Sequence, residues 1–64
     1  MKVTEYRVYP GVTGYNYRVY RRETSDLEEA FAWVYAKGSA VVIQSPLKVT
    51  VLDKGDTWEY VISP

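Results

Sequence analysis

The sequence predicts a small α+β domain in which one helix packs on a mainly antiparallel sheet of four or five strands. Segments in which apolar and polar residues alternate, rich in β-branched and aromatic side chains, occur before and after a single helical segment. The helical segment has a capping signal at its start and a glycine at its end. Because a helix and a sheet each need the other to cover an apolar face, the order ββαββ or ββαβββ favours two packed layers.

The first 22 residues predict a β-hairpin. Residues 2–9 and residues 15–22 both alternate and are rich in Val and Tyr. Between them, residues 10–14 (PGVTG) contain two glycines and a proline, which is typical of a hairpin loop longer than two residues.

The sequence SDLE, beginning at Ser25, carries the helix signal. It fits a capping box, in which the Ser25 hydroxyl accepts a hydrogen bond from a first-turn amide and Glu28 reaches back. Lys37 lies near the other end, where a positive charge is favourable, and Gly38 tolerates the left-handed conformation that ends a helix. We expect the helix to span residues 26–37.

Two or three strands are expected after the helix. The apolar run 40–44 and the alternating run 48–52 are separated by Pro46, which has no amide proton to donate to a strand ladder. This part of the chain therefore forms either one bent strand or two. A turn at residues 53–56 and a last strand at residues 57–62 follow.

The order of elements over nearly the whole chain resembles the β-grasp arrangement of the protein G immunoglobulin-binding domains. The resemblance lies in the element order, since no residue motif accompanies it. It implies that the first and last strands pair in parallel. It implies no function, because one fold hosts many functions.

The composition excludes several kinds of site. The 64 residues form one small domain over residues 1–64, with a net charge of zero and neither Cys nor His. Disulfides and thiolate metal sites are therefore excluded, and so are the commonest zinc ligand and the usual base at neutral pH. A domain of this size also has little volume for a ligand pocket of ~300 Å³ or more. We expect no catalytic residue, no metal and no cofactor.

The hydropathy pattern carries no membrane or export signal. No apolar run approaches the ~20 residues of a membrane span, and the N-terminus lacks the apolar core of a signal peptide. We therefore expect a soluble, cytoplasmic protein with no membrane partner. The chain has one Asn and one Gln, a scarcity that favours a thermophilic source.

The hairpin carries most of the positive charge. Residues 1–22 hold five basic side chains against Glu5 alone. If both strands alternate regularly, two tyrosines and three arginines share the outer face of the sheet with Glu5. The five are Arg7, Tyr9, Arg18, Tyr20 and Arg22. Single-stranded nucleic acids are bound by this chemistry, with aromatic rings for base stacking and guanidinium groups for phosphate. The alternative is an ordinary exposed sheet face with cross-strand cation–π pairs.

The helix offers a second candidate surface. At 100° per residue, one side of the helix collects the expected core residues Leu27, Ala30, Phe31 and Val34. The candidate protein-interaction surface lies off this stripe and comprises Ala32, Trp33, Ala36 and Lys37. An exposed Trp among alanines is a typical interface anchor. The alternative is that Trp33 folds over the helix flank onto a neighbouring loop and enlarges a thin core.

These patterns favour a non-enzymatic protein-interaction or assembly module, including association of two copies of the chain. The contact surface is then either the helix surface around Trp33 or an exposed edge of the sheet. The alternative function is weak, salt-sensitive binding of single-stranded nucleic acid by the hairpin face.

Overall fold

A computed structural model of the chain describes residues 1–38, 40–45 and 47–64, with the backbone alone over 40–45. Within these residues it has one helix and five strands. The elements are β1 (Lys2–Pro10), β2 (Asn16–Thr24), α1 (Leu27–Lys37), β3 (Ala40–Ser45), β4 (Lys48–Asp53) and β5 (Asp56–Ser63). The described strands form a single sheet in the order β2-β1-β5-β4-β3, in which every neighbouring pair is antiparallel. The predicted fold class, one helix packed on an antiparallel sheet, is confirmed.

Residues 40–52, which the sequence left as one bent strand or two, form two strands. This sets the direction of the last strand, β5. β3 and β4 pair antiparallel from Ala40 and Leu52 to Ser45 and Lys48, and Pro46 lies outside the described residues. With three strands after α1 in place of two, the chain reverses direction once more. β5 therefore runs antiparallel to β1. The parallel pairing of first and last strands implied by the β-grasp resemblance is wrong for this chain.

α1 begins one residue later than predicted, and its N-cap is Asp26 in place of Ser25. The Asp26 backbone is extended, and its Oδ1 accepts a hydrogen bond of 3.0 Å from the Glu28 amide. At the other end, Gly38 takes a φ of 68°, and its N–H donates to the Tyr35 carbonyl at 3.1 Å. The predicted glycine cap is confirmed, and the helix ends at the expected residue.

A β-bulge divides β2 into two parts. Residues 16–20 pair with residues 6–10 of β1 in regular register. On the other side of the bulge, Arg22 faces Glu5, which leaves Arg21 as the extra residue. Side chains before and after Arg21 therefore alternate out of phase.

The core lies between α1 and the strands β1, β4 and β5. Its buried residues are Val3, Ala30, Trp33, Val51 and Tyr60. Two residues that were predicted to be core, Leu27 and Phe31, are 42% and 50% exposed. The helix is thus rotated from the predicted orientation and turns Ala30 and Trp33 to the sheet. An indole ring buries more apolar area than a phenyl ring, and the small Ala30 side chain lets the helix lie close to the strands.

Candidate functional site

The four residues of the predicted helix surface do not form one exposed surface. Trp33 is 8% exposed and belongs to the core. Lys37 also reaches toward the sheet, where its Nζ lies 3.9 Å from the ring centroid of Trp58. Ala32 and Ala36 remain exposed. The expectation of an exposed Trp33 anchor is wrong. The alternative is closer to the structure, because Trp33 enlarges the core, although it packs on the sheet and not on a loop.

A buried carboxylate lies beneath the helix. Glu5 is 2% exposed. The sequence predicts the opposite, because regular alternation with the charged side chains facing solvent places Glu5 on the open side of the sheet. Its Oε2 accepts a hydrogen bond of 2.6 Å from the Tyr60 hydroxyl, and its Oε1 accepts one of 2.9 Å from Arg22 Nε. Lys37 Nζ lies 3.6 Å from Oε2. Two cations and a hydroxyl therefore compensate for the desolvation of this carboxylate.

Tyr60 is a fixed hydrogen-bond donor in this cluster. Burial raises the pKa of its phenol, and the hydrogen bond to Glu5 raises that pKa further. The phenol therefore stays protonated at neutral pH and holds the Glu5 carboxylate in place. The cluster joins β1, β2, β5 and α1, so it stabilises the packing of the helix on the sheet.

The five residues of the predicted nucleic-acid surface lie on both faces of the sheet. They are Arg7, Tyr9 and Arg22 on the side of α1, and Arg18 and Tyr20 on the open side. The expectation of one shared face is wrong for two reasons. First, Glu5 is buried under the helix by its hydrogen bonds, so Arg7 and Tyr9, which alternate in phase with it on β1, also lie on the side of α1. Second, the bulge at Arg21 places Arg22 on the opposite face from Arg18 and Tyr20.

Most basic side chains of the hairpin are neutralised by carboxylates of the same chain. Within residues 1–22, four of the five cations lie within 3.1 Å of a carboxylate oxygen. The pairs are Lys2–Glu23 at 3.1 Å, Arg7–Asp56 at 2.8 Å, Arg18–Glu59 at 2.7 Å and Arg22–Glu5 at 2.9 Å. The guanidinium of the fifth, Arg21, lies 5.8 Å from the ring centroid of Trp58. A phosphate group would have to compete with these carboxylates for the arginines.

Aromatic rings of the hairpin also contact side chains of the same chain. The rings of Tyr9 and Tyr17 stack with their centroids 5.6 Å apart, and the Arg7 guanidinium lies 4.4 Å from the Tyr9 centroid. On the open side, the Arg18 guanidinium lies 5.3 Å from the Tyr6 centroid. The Tyr9–Tyr17 and Arg18–Tyr6 contacts join β1 to β2 and are cross-strand pairs of the kind that the alternative explanation invokes. Each such pair stabilises a sheet by roughly 0.2–1 kcal/mol.

β2 is an edge strand that is exposed along almost its whole length. It is the first strand in the sheet order, and eight of its nine residues are exposed. Tyr17 and Tyr20 are each 54% exposed, and Val19 is 39% exposed. An edge strand presents a row of backbone N–H and C=O groups that can pair with a further strand. Alternation predicts β2 as a strand but not as an edge, because that position depends on β5 pairing with the other side of β1.

A small apolar cleft lies between α1 and the sheet. The partly exposed Leu27 and Phe31 line one side of it, and Val49 and Ile62 belong to the strands that line the other. The described lining residues carry no charged side chain. The cleft therefore offers mainly apolar contact.

Within residues 1–38, 40–45 and 47–64, no three acidic side chains lie close enough together to hold a metal ion. No helix in the described part of the chain is long and apolar enough to cross a membrane. Comparison of the chain with protein-family models, with curated proteins and with solved structures gave no match.

Proposed function

We propose that this chain is a non-enzymatic protein-interaction module that joins a second copy of itself through the edge strand β2. The observation that carries the proposal is the position of β2, a nine-residue strand at the edge of the sheet with eight exposed residues. Strand addition at such an edge satisfies backbone hydrogen-bonding groups that otherwise face water.

The exposed side chains of β2 also favour this strand as the contact site. Tyr17 and Val19 project on the side of α1, and Tyr20 projects on the open side. Each is more than a third exposed. Tyrosine is enriched at protein interfaces because it offers a large apolar ring at a small loss of conformational entropy. A second strand laid against β2 would cover apolar area on both faces of the sheet.

The arginines of β2 do not protect this edge as strongly as their number suggests. Charged side chains and bulges commonly prevent edge strands from pairing. Arg18 is neutralised by Glu59 at 2.7 Å, on a strand two positions away from the edge. Arg22 is likewise neutralised by the buried Glu5. The bulge occupies one end of β2 and leaves residues 16–20 regular.

Single-stranded nucleic-acid binding by the hairpin has less support. Its five candidate residues lie on two faces, and all three of its arginines are paired with carboxylates. An NMR titration of backbone amides with a short mixed single-stranded oligonucleotide measures this alternative directly. Shifts at Tyr9 and Arg18 that fade at high salt would favour nucleic acid over protein, because counterion release predicts that loss.

Sedimentation velocity over a series of protein concentrations tests the proposal. We expect reversible association of the native chain. We expect Val19→Lys to weaken it by about tenfold or more, equivalent to about 1.4 kcal/mol, because the new charge lies on the pairing edge. Leu52→Lys is the matched control, since Leu52 is 47% exposed on β4, three strands away from β2. It should associate like the native chain.

Two results would overturn the proposal. The first is a native chain that remains monomeric up to the highest concentration that can be measured. The second is equal weakening of association by Val19→Lys and Leu52→Lys, which would place the contact elsewhere or reduce it to an effect of net charge.

A further inference from the structure

We infer that β2 of one copy pairs antiparallel with β2 of the second copy about a two-fold axis that lies midway between their two Arg18 residues. Pairing is confined to residues 16–20 of each copy. This inference rests on the proposed function and adds the register of the interface. It predicts that Tyr17 of one copy faces Val19 of the second copy, and that Asn16 faces Tyr20.

Symmetry first restricts the choice of register. In an antiparallel pair of identical strands, facing residues must project to the same side of the sheet. At the two-fold axis, one residue must therefore face the same residue of the second copy. Each register is named by that residue. Within the regular part of β2, axes at Tyr17, Arg18 and Val19 are the registers that keep at least three facing pairs.

The bulge then selects among these registers. The ladder of β2 is regular from the pair Asn16 and Pro10 to the pair Tyr20 and Tyr6, and is interrupted at Arg21. An axis at Arg18 uses all five regular residues of both copies. An axis at Val19 keeps three regular pairs and sets the next residue, Tyr17, against the bulged Arg21 of the second copy. An axis at Tyr17 also keeps three, and extends into the hairpin loop, where Gly14 has a φ of 85°.

The side chains fit the Arg18-centred register on both faces. On the side of α1, Tyr17 faces Val19 of the second copy twice by symmetry. Aromatic and β-branched residues are favourable cross-strand partners. On the open side, Asn16 faces Tyr20 of the second copy twice, and neither residue is charged.

The register places two Arg18 residues opposite each other, and like charges in facing positions oppose pairing. The structure reduces this effect. Arg18 Nε lies 2.7 Å from Glu59 Oε1, and the guanidinium carbon lies 5.3 Å from the centroid of Tyr6. Both contacts are with strands on the inner side of β2, so the charge is neutralised and directed away from the edge.

Disulfide cross-linking can measure the register because the native chain has no Cys. We would prepare Tyr17→Cys and Val19→Cys in the full chain, and oxidise each variant alone and in an equimolar mixture. Both positions are exposed, so the fold should tolerate them. In the Arg18-centred register, the thiol introduced by Tyr17→Cys in one copy faces the thiol introduced by Val19→Cys in the other. Two copies of the same variant hold their Cα atoms about 8 Å apart, beyond the reach of ~7 Å that a disulfide allows.

The expected result is a covalent dimer in the mixture, formed about tenfold faster than in either variant alone, since only the mixed pair meets the geometry of a disulfide. Fast dimerisation of Val19→Cys alone would move the axis to Val19 and overturn the inference. Fast dimerisation of Tyr17→Cys alone would move it to Tyr17 and also overturn it.

Sedimentation separates failure of the inference from failure of the proposed function. If the native chain associates but no cysteine combination cross-links faster than the others, the dimer uses another register or surface, and the inference is wrong. If the native chain does not associate at all, the proposed function itself is wrong.

Discussion

The Tyr60 hydroxyl donates a 2.6 Å hydrogen bond to Glu5 Oε2 inside the interface between the helix and the sheet. The two residues face each other across the central strands β1 and β5 and are 55 positions apart in the chain. This contact explains why a charged residue of β1 lies in the core. It also turns Val3, which alternates in phase with Glu5, toward α1.

Removing the Tyr60 hydroxyl should destabilise the fold. In Tyr60→Phe the ring still fills its space, but a buried carboxylate loses a donor. We expect the free energy of unfolding to fall by about 1–3 kcal/mol, the range found when a buried polar group loses its partner. Urea denaturation followed by circular dichroism measures this. Tyr35→Phe is the control, because Tyr35 is 77% exposed and should change the free energy little. Equal losses in the two variants would contradict the structural role of the hydroxyl.

The advantage of the native chain over Tyr60→Phe should shrink at high pH. Burial raises the pKa of Tyr60 in the folded chain, and the hydrogen bond to Glu5 adds to this, whereas in the unfolded chain the phenol titrates near its usual value of about 10. Above that pH the unfolded chain releases a proton that the folded chain retains. Stability from Tyr60 is therefore complete below about pH 10 and decreases above it, by up to about 1.4 kcal/mol per pH unit. Denaturation of both chains at pH 8 and pH 11 checks this, and a constant difference would contradict it.

Trp33 and Phe31 should contribute very differently to stability. We expect Trp33→Ala to lower the free energy of unfolding by about 3–5 kcal/mol, because it leaves a large cavity in the core. A core of this size rarely supplies more than about 3–5 kcal/mol, so the variant should be largely unfolded. Phe31→Ala should lose less, since Phe31 is 50% exposed. Thermal unfolding compares the two, and Trp33→Phe gives a folded variant of intermediate stability. A larger loss at Phe31 would mean that the helix is rotated as the sequence predicts.

Asp26 should cap α1 and Ser25 should not. Asp26→Ala removes the acceptor for the Glu28 amide and should lower the free energy of unfolding by about 1 kcal/mol. Ser25→Ala should have little effect. Chemical denaturation of both variants decides between them, and a larger effect at Ser25 would restore the capping box that the sequence predicts.

The signals that act between near neighbours in the chain predicted most of the secondary structure, but they left open whether residues 40–52 form one bent strand or two. A capping side chain, a glycine with positive φ and an alternating strand pattern each depend on contacts over a few residues. For this reason the hairpin, the helix end at Lys37 and the strands on either side of α1 could be predicted without a structure.

Contacts between residues far apart in the chain decided the rest. The sequence alone determined that one helix and several strands form two layers, because each apolar face needs a cover. Only the tertiary structure decided which face of β1 is buried, because the burial of Glu5 depends on Tyr60, Arg22 and Lys37 together. It also decided how α1 is rotated and that β2 lies at the edge. The bulge at Arg21 was likewise decided by the tertiary structure, and this one extra residue separates side chains that regular alternation would place on one face.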